Sequence, residues 1–213
     1  MSDEAVFAVS ARQRRVFADL LESLDDVQLA SPSLCTEWDV RTVAGHLASA
    51  LTTTMRSFVV LLLQARGNPD RAVERAAHQA AARPVAELVA TLRNRADSRF
   101  APPGIGARGP MTDVLVHTAD VTVPLGLHFD PAADGVRIAL EFVIGRRPPG
   151  FTTRRRVHGL RFVDDDTGFA AGEGPQVRGR GIDVLLAACG RPAVLGRLAG
   201  DGVPVLATRL TGR

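Results

Sequence analysis

The chain has 213 residues, 46% of them hydrophobic and 23% charged, enough to bury one substantial core or to divide into a larger and a smaller domain. Its formal net charge is +3 and its pI 9.9, but lysine is absent, so the high pI reflects permanently protonated arginine and overstates the positive field. With no tyrosine and Trp38 as the single tryptophan, it lacks the interleaved aromatics of a nucleic-acid platform, and nucleic acid is not an expected partner.

The first predicted element is an amphipathic helix over residues 4–25, on which Val6, Val9, Val16, Leu20, Leu21 and Leu24 recur mostly at helical spacing before Pro32. The opening residues lack the basic-then-apolar order of a secretory signal, so a cytoplasmic protein is expected. A second helix is predicted from Asp39, an N-cap after Trp38, through His46 to the stop at Gly67-Asn68-Pro69. Its apolar run, residues 58–63, is far too short to cross a bilayer, so no membrane partner is expected. A third helical region covers residues 71–99, with Pro84 marking an irregularity or restart. After a Pro/Gly loop from Pro102 to Pro110, a fourth helix runs over residues 111–123 and ends near Pro124 and Gly126. Four helices so connected predict an N-terminal bundle, residues 1–130.

Beyond Asp130 the composition shifts. A helix over 133–144 leads into RRPPGFTTRRR, which reads as a solvated connection. Its cluster of Arg146, Arg147, Arg154, Arg155 and Arg156 leaves a phosphate-binding reading open. Strands over 157–163 and 169–171, a helix over 182–189 and a closing strand over 203–210 predict a small α+β domain, residues 131–213. The expected fold class is therefore α+β, a helical bundle followed by a small mixed domain.

Gly104-Ile-Gly106-Ala-Arg-Gly109 fits GxGxxG and precedes a helix, but a dinucleotide fingerprint needs a buried strand before it, and here Pro102-Pro103 and a helical region come first. Walker, GxSxG and HExxH motifs are absent. Cys35 and Cys189 lie far apart with no CxxC; they support neither a disulfide framework nor a cysteine-based zinc site, and read as small core residues.

The fourth helix carries more chemistry. In DVLVHTAD, Asp113 and His117 stand at i and i+4 on one face, and Asp120 follows on the same side. A cation site and a plain helix salt bridge both fit that pair. His46, on the inward stripe with Val43, Leu47 and Ala50, is a credible third ligand, since facing helices of a bundle bring distant residues to one interior point. Two imidazoles and a carboxylate leave coordination positions open, as in a catalytic metal site. His78, His128 and His158 lack such companions and read as surface or packing residues.

PSLCTEWDVRTVAGHLA and, much later, DVLVHTADVTVPLGL resemble the mycothiol-dependent maleylpyruvate isomerase family, within the DinB-like metalloenzyme superfamily. The resemblance spans nearly the whole chain. It rests on Cys35, Trp38 and His46, then on Asp113, His117, Asp120, Leu125 and Gly126, while GIDVLLAACGRP and LAGDGVPVLA resemble the family's small, sterol-carrier-like C-terminal domain. It implies that His46, Asp113 and His117 bind a divalent metal, usually zinc, with nickel and manganese as alternatives, and that mycothiol completes the site. Asp120 would orient the thiol, and Arg191, in a Gly-Arg-Pro turn, would reach into an interdomain cleft to hold an acidic thiol or substrate; a helix C-terminal cation is its other reading. One departure is that the isomerase resembles this pattern with glutamate at the acidic position, where this chain has Asp113. The implied activity is thiolate addition to an electrophilic small molecule, as an isomerase or an S-transferase. A non-catalytic metal-binding or ligand-sensing bundle is the alternative, and a homodimer stays open.

Overall fold

The computed structural model describes residues 1–101 and 104–212, so the Pro102 and Pro103 of the expected loop lie outside the described residues. The fold is α+β. It divides into two compact units, one of Met1–Pro110 with Asp120–His128, the other of Met111–Ala119 with Phe129–Arg213.

The first unit is helical. α1 (Asp3–Ser23) starts where the Ser2 side chain accepts from the Ala5 amide and buries Val6, Val9, Phe17 and Leu21. Val16, expected on the inward stripe, is 42% exposed; Phe17 takes its place because the buried face follows residues 6, 9, 13, 17 and 21, a helical stripe that Val16 misses by one position. α2 (Asp26–Leu29) is closed by an Asp25/Gln28 capping box.

The long second helix is in fact two. α3 (Val40–Thr52) begins, as expected, with Asp39 accepting from the Thr42 amide, and ends at Thr53, whose backbone is extended. α4 (Met55–Gln64) then restarts with a Thr54/Ser57 capping box. The three consecutive threonines explain the break, because their hydroxyls compete for helical backbone groups and suit caps better than helix interiors. The predicted third region also divides, into α5 (Pro69–Ala81), capped by Asn68 with proline in its first turn, and α6 (Val85–Asn94), which follows Pro84. α3 packs chiefly on α5 and also on α6, and α1 packs on α6. The α3–α5 approach is close: a Cβ on Gly45 would sit 2.7 Å from the Ala81 backbone nitrogen.

α7 (Arg108–Thr122) contributes residues to both units. Gly104 and Gly106 precede it with positive φ, and the nearest element described before them is α6, so GxGxxG here is a turn and a helix start.

In the second unit α8 (Ala133–Leu140) widens into a π-helical turn, Glu141–Arg146. The expected solvated connection is partly folded in. Pro148, Thr152 and Val157 are buried, the Thr152 hydroxyl donates to the Ala188 carbonyl at 2.7 Å, and a short α9 (Arg154–Val157) forms where the first strand was expected to begin. Arg156 turns inward, with Nη1 3.5 Å from the Phe151 and Ala188 carbonyls. Burial lowers its guanidinium pKa, Cys189 opposes that shift, and the nearby Arg191 adds to it.

Three strands follow: β1 (Arg161–Asp164), β2 (Ala170–Ala171) and β3 (Gln176–Gly179), ordered β2-β1-β3. β1 pairs antiparallel with β2 and parallel with β3, Phe162 standing opposite both Ala171 and Val177. β3 escaped the sequence reading because Val177 is its only buried residue. Every residue of α10 (Gly181–Ala188) is buried. The closing segment is a helix, α11 (Gly202–Thr211), and not the expected strand. Pro204 is tolerated in a first helical turn, and the segment buries Gly202 and Leu206, four residues apart, which is helical spacing.

Candidate metal centre

α7 is buried around most of its circumference. Met111, Val114, Leu115, Val116, Ala119 and Val121 are all buried, which leaves its polar side chains conspicuous, since a polar group taken from water needs a partner. His117 is 8% exposed and Asp120 fully buried. The predicted i,i+4 pair forms: His117 Nε2 lies 3.5 Å from Asp113 Oδ1. Two ligands at about 2.1 Å from one tetrahedral cation stand roughly 3.4 Å apart, so this pair already has the separation that a shared ion requires.

His46 is carried by α3, whose register is set by the Asp39 cap. Its ring lies 5.2 Å from that of Trp38, tilted by 44°. Its neighbour Gly45 is the residue that lets α3 meet α5 so closely. His46, Asp113 and His117 each offer one ligand atom, and these atoms all lie within 4.8 Å of one another. The donor set, two imidazoles and one carboxylate, suits zinc and other first-row divalent ions, and leaves room for exogenous ligands.

Cys35, expected as a small core residue, is only half-buried. Its Sγ lies within 4.8 Å of ligand atoms of both His117 and Asp120. The loop that carries it is tightly tied: the Leu34 amide donates to the Asp120 carbonyl at 2.9 Å, the Trp38 amide to the Cys35 carbonyl at 3.0 Å, and the Cys35 amide to Ser33 Oγ at 3.0 Å. Glu37 turns this loop with φ 68°. The position of Cys35 just before the Trp38-Asp39 helix start was the available signal; a lone cysteine without CxxC spacing does not announce a ligand.

Arg191 sits just after α10, where its Nη1 donates to the Cys189 carbonyl at 2.8 Å, the helix C-terminal role expected of a cation. His78, His128 and His158 are exposed, as surface histidines.

Residues 10–102 match the family described as mycothiol maleylpyruvate isomerase N-terminal domain. Over 94% of this chain and 93% of the other, the fold is similar to that in the crystal structure of the mycothiol-dependent maleylpyruvate isomerase, with TM-score 0.64 and 14% identity. A histidine-to-alanine mutant of that isomerase matches over the same shares, with TM-score 0.63 and 13% identity. At these identities the likeness is one of fold. No curated protein sequence matches the chain. None of the described helices is long and apolar enough to cross a membrane.

Proposed function

We propose that this protein is a thiol-dependent metalloenzyme that acts on an electrophilic small molecule, with mycothiol as the thiol and either isomerisation or S-transfer as the outcome. The observation that carries the proposal is the convergence of His46, Asp113 and His117, with their ligand atoms within 4.8 Å of one another, in a fold shared with a mycothiol-dependent isomerase. Both outcomes share the first event, attack of a thiol sulfur on an activated carbon. The proposal also takes residues 1–130 as a metal-binding four-helix bundle of DinB type and residues 131–213 as a sterol-carrier-like domain, with zinc as the metal.

A divalent cation held there supplies the charge that keeps a thiol ionised, and hence nucleophilic, near neutral pH. The chain's own residues supply the rest. As metal ligands, the imidazoles of His46 and His117 would offer lone pairs from two helices, α3 and α7. The Asp113 carboxylate contributes one negative charge and leaves a net positive site for an anionic ligand. Asp120, fully buried three residues after His117, would orient the imidazole or the incoming thiol. Arg191, whose Nη1 donates to the Cys189 carbonyl, would use its remaining guanidinium N–H groups to pair with a carboxylate of an acidic thiol or substrate.

The test begins with metal content by plasma mass spectrometry, in the wild type and in a His46→Ala/His117→Ala double variant whose circular dichroism is unchanged. Near-stoichiometric metal lost in the variant, followed by mycothiol-dependent turnover of a cis-alkene dicarboxylate or conjugation to an electrophile, supports the proposal. Absence of metal in both proteins after incubation with zinc, nickel and manganese removes its basis. The Asp113–His117 contact would then be an ordinary helix ion pair in a non-catalytic bundle.

A further inference from the structure

His117 and Asp120, a ligand and an orienting carboxylate in the proposed function, also belong with Cys35 to a second grouping that the proposed function does not use. Cys35 Sγ, a ring nitrogen of His117 and a carboxylate oxygen of Asp120 all lie within 4.8 Å of one another. Two of the three residues are buried, His117 at 8% exposure and Asp120 at 0%. His117 and Asp120 are three apart on one helix, so their side chains share a face. Cys35 arrives from a loop pinned to that helix by the 2.9 Å bond from the Leu34 amide to the Asp120 carbonyl. The thiol is thus brought to the two α7 side chains by a backbone bond one residue away.

We infer that Cys35, His117 and Asp120 form a second cation position, selective for thiophilic divalent ions, that overlaps the first only at His117. Sulfur, nitrogen and oxygen donors together are a borderline-soft set. It favours zinc, cobalt or cadmium over magnesium or calcium, which prefer oxygen ligands alone. The first grouping contains no sulfur, so the two positions differ in the spectra of the ions they hold. Sharing one imidazole couples them: an ion at either position engages His117, and the loop from Ser33 to Trp38 then reports on the metal state of α7. The inference rests on the Cys35 grouping and stands or falls separately from the proposed reaction.

Cobalt(II) titration of the metal-free, full-length protein tests it, because a thiolate bound to cobalt(II) gives a near-ultraviolet charge-transfer band that imidazole and carboxylate ligands do not. The band is expected in the wild type, in His46→Ala and in Asp113→Asn, and in Cys189→Ser. It is expected to vanish in Cys35→Ser and to resist excess magnesium. A wild-type protein that binds cobalt without the band, or binds none, overturns the inference. So does a band that survives Cys35→Ser and disappears in Cys189→Ser. If His46→Ala and Asp113→Asn leave both cobalt stoichiometry and the band unchanged, the first site fails while the second holds, so the two readings fail separately.

Discussion

His117 Nε2 and Asp113 Oδ1 stand 3.5 Å apart, one helical turn from each other on α7. That separation is long for a hydrogen bond and close to the roughly 3.4 Å expected for two ligands of one tetrahedral ion. Asp113→Glu keeps the carboxylate and adds one methylene, which α7 absorbs by a rotamer change. Its zinc affinity is therefore expected within about tenfold of wild type. Asp113→Asn loses the charge, and its affinity should fall by at least the roughly 10–100-fold typical of a lost supporting partner. Competition with a chromophoric chelator measures both; equal affinities for the two variants would rule out Asp113 as a ligand.

Gly45 sets the distance between α3 and α5. A Cβ there meets the Ala81 backbone nitrogen at 2.7 Å and its Cα at 3.0 Å, and backbone atoms cannot turn aside as side chains do. Gly45→Ala should destabilise the helical unit by about 1–3 kcal/mol even though alanine is the better helix former. Because His46 is the next residue, metal affinity should drop with it. Urea denaturation of the apoprotein, in parallel with metal titration, measures both effects.

Thr152 ties the segment after the π-helical turn to the end of α10 through its 2.7 Å bond to the Ala188 carbonyl. Thr152→Val preserves shape and removes the donor, at an expected cost of about 1–3 kcal/mol because the bond is buried. An unchanged denaturation midpoint would show that another donor, such as Arg156 Nη1 already 3.5 Å from that carbonyl, replaces the hydroxyl there.

Arg93 on α6 donates to Asp19 at 2.6 Å and to Glu22 at 2.7 Å on α1. The hydrogen bond from Arg93, then its charge, holds the Glu22 carboxyl below the usual carboxylate range. A carboxyl with a depressed folded-state pKa stabilises above its unfolded value, about 4.3, and loses that contribution as pH falls through the folded value. All three side chains are well exposed, so the effect is small and screened by salt. Arg93→Met should lower the melting temperature slightly at neutral pH and low salt. The difference should close in strong acid and in molar salt; a difference independent of both would assign it to packing.

Much of this protein was legible from local chemistry. The Asp39 cap and the pairing of Asp113 with His117 follow from helix geometry within a few residues, and the Cys35–Trp38–His46 and Asp113–His117–Asp120 patterns carried the family resemblance. What required the tertiary structure was every decision taken between distant segments. The 203–210 segment was expected as a closing strand, yet it forms α11, with Gly202 and Leu206 buried together: a Cβ at Gly202 would lie 2.6 Å from the Pro175 carbonyl oxygen. Arg156 reads as a solvated charge and is half-buried against carbonyls. Cys35 reads as a small core residue and stands beside His117 and Asp120, more than eighty positions later in the chain, because one backbone hydrogen bond from Leu34 to Asp120 holds its loop on α7. Periodicity and capping are local properties that a sequence states directly; which donors share a point in space is fixed only by packing, and packing decided both ligand groups.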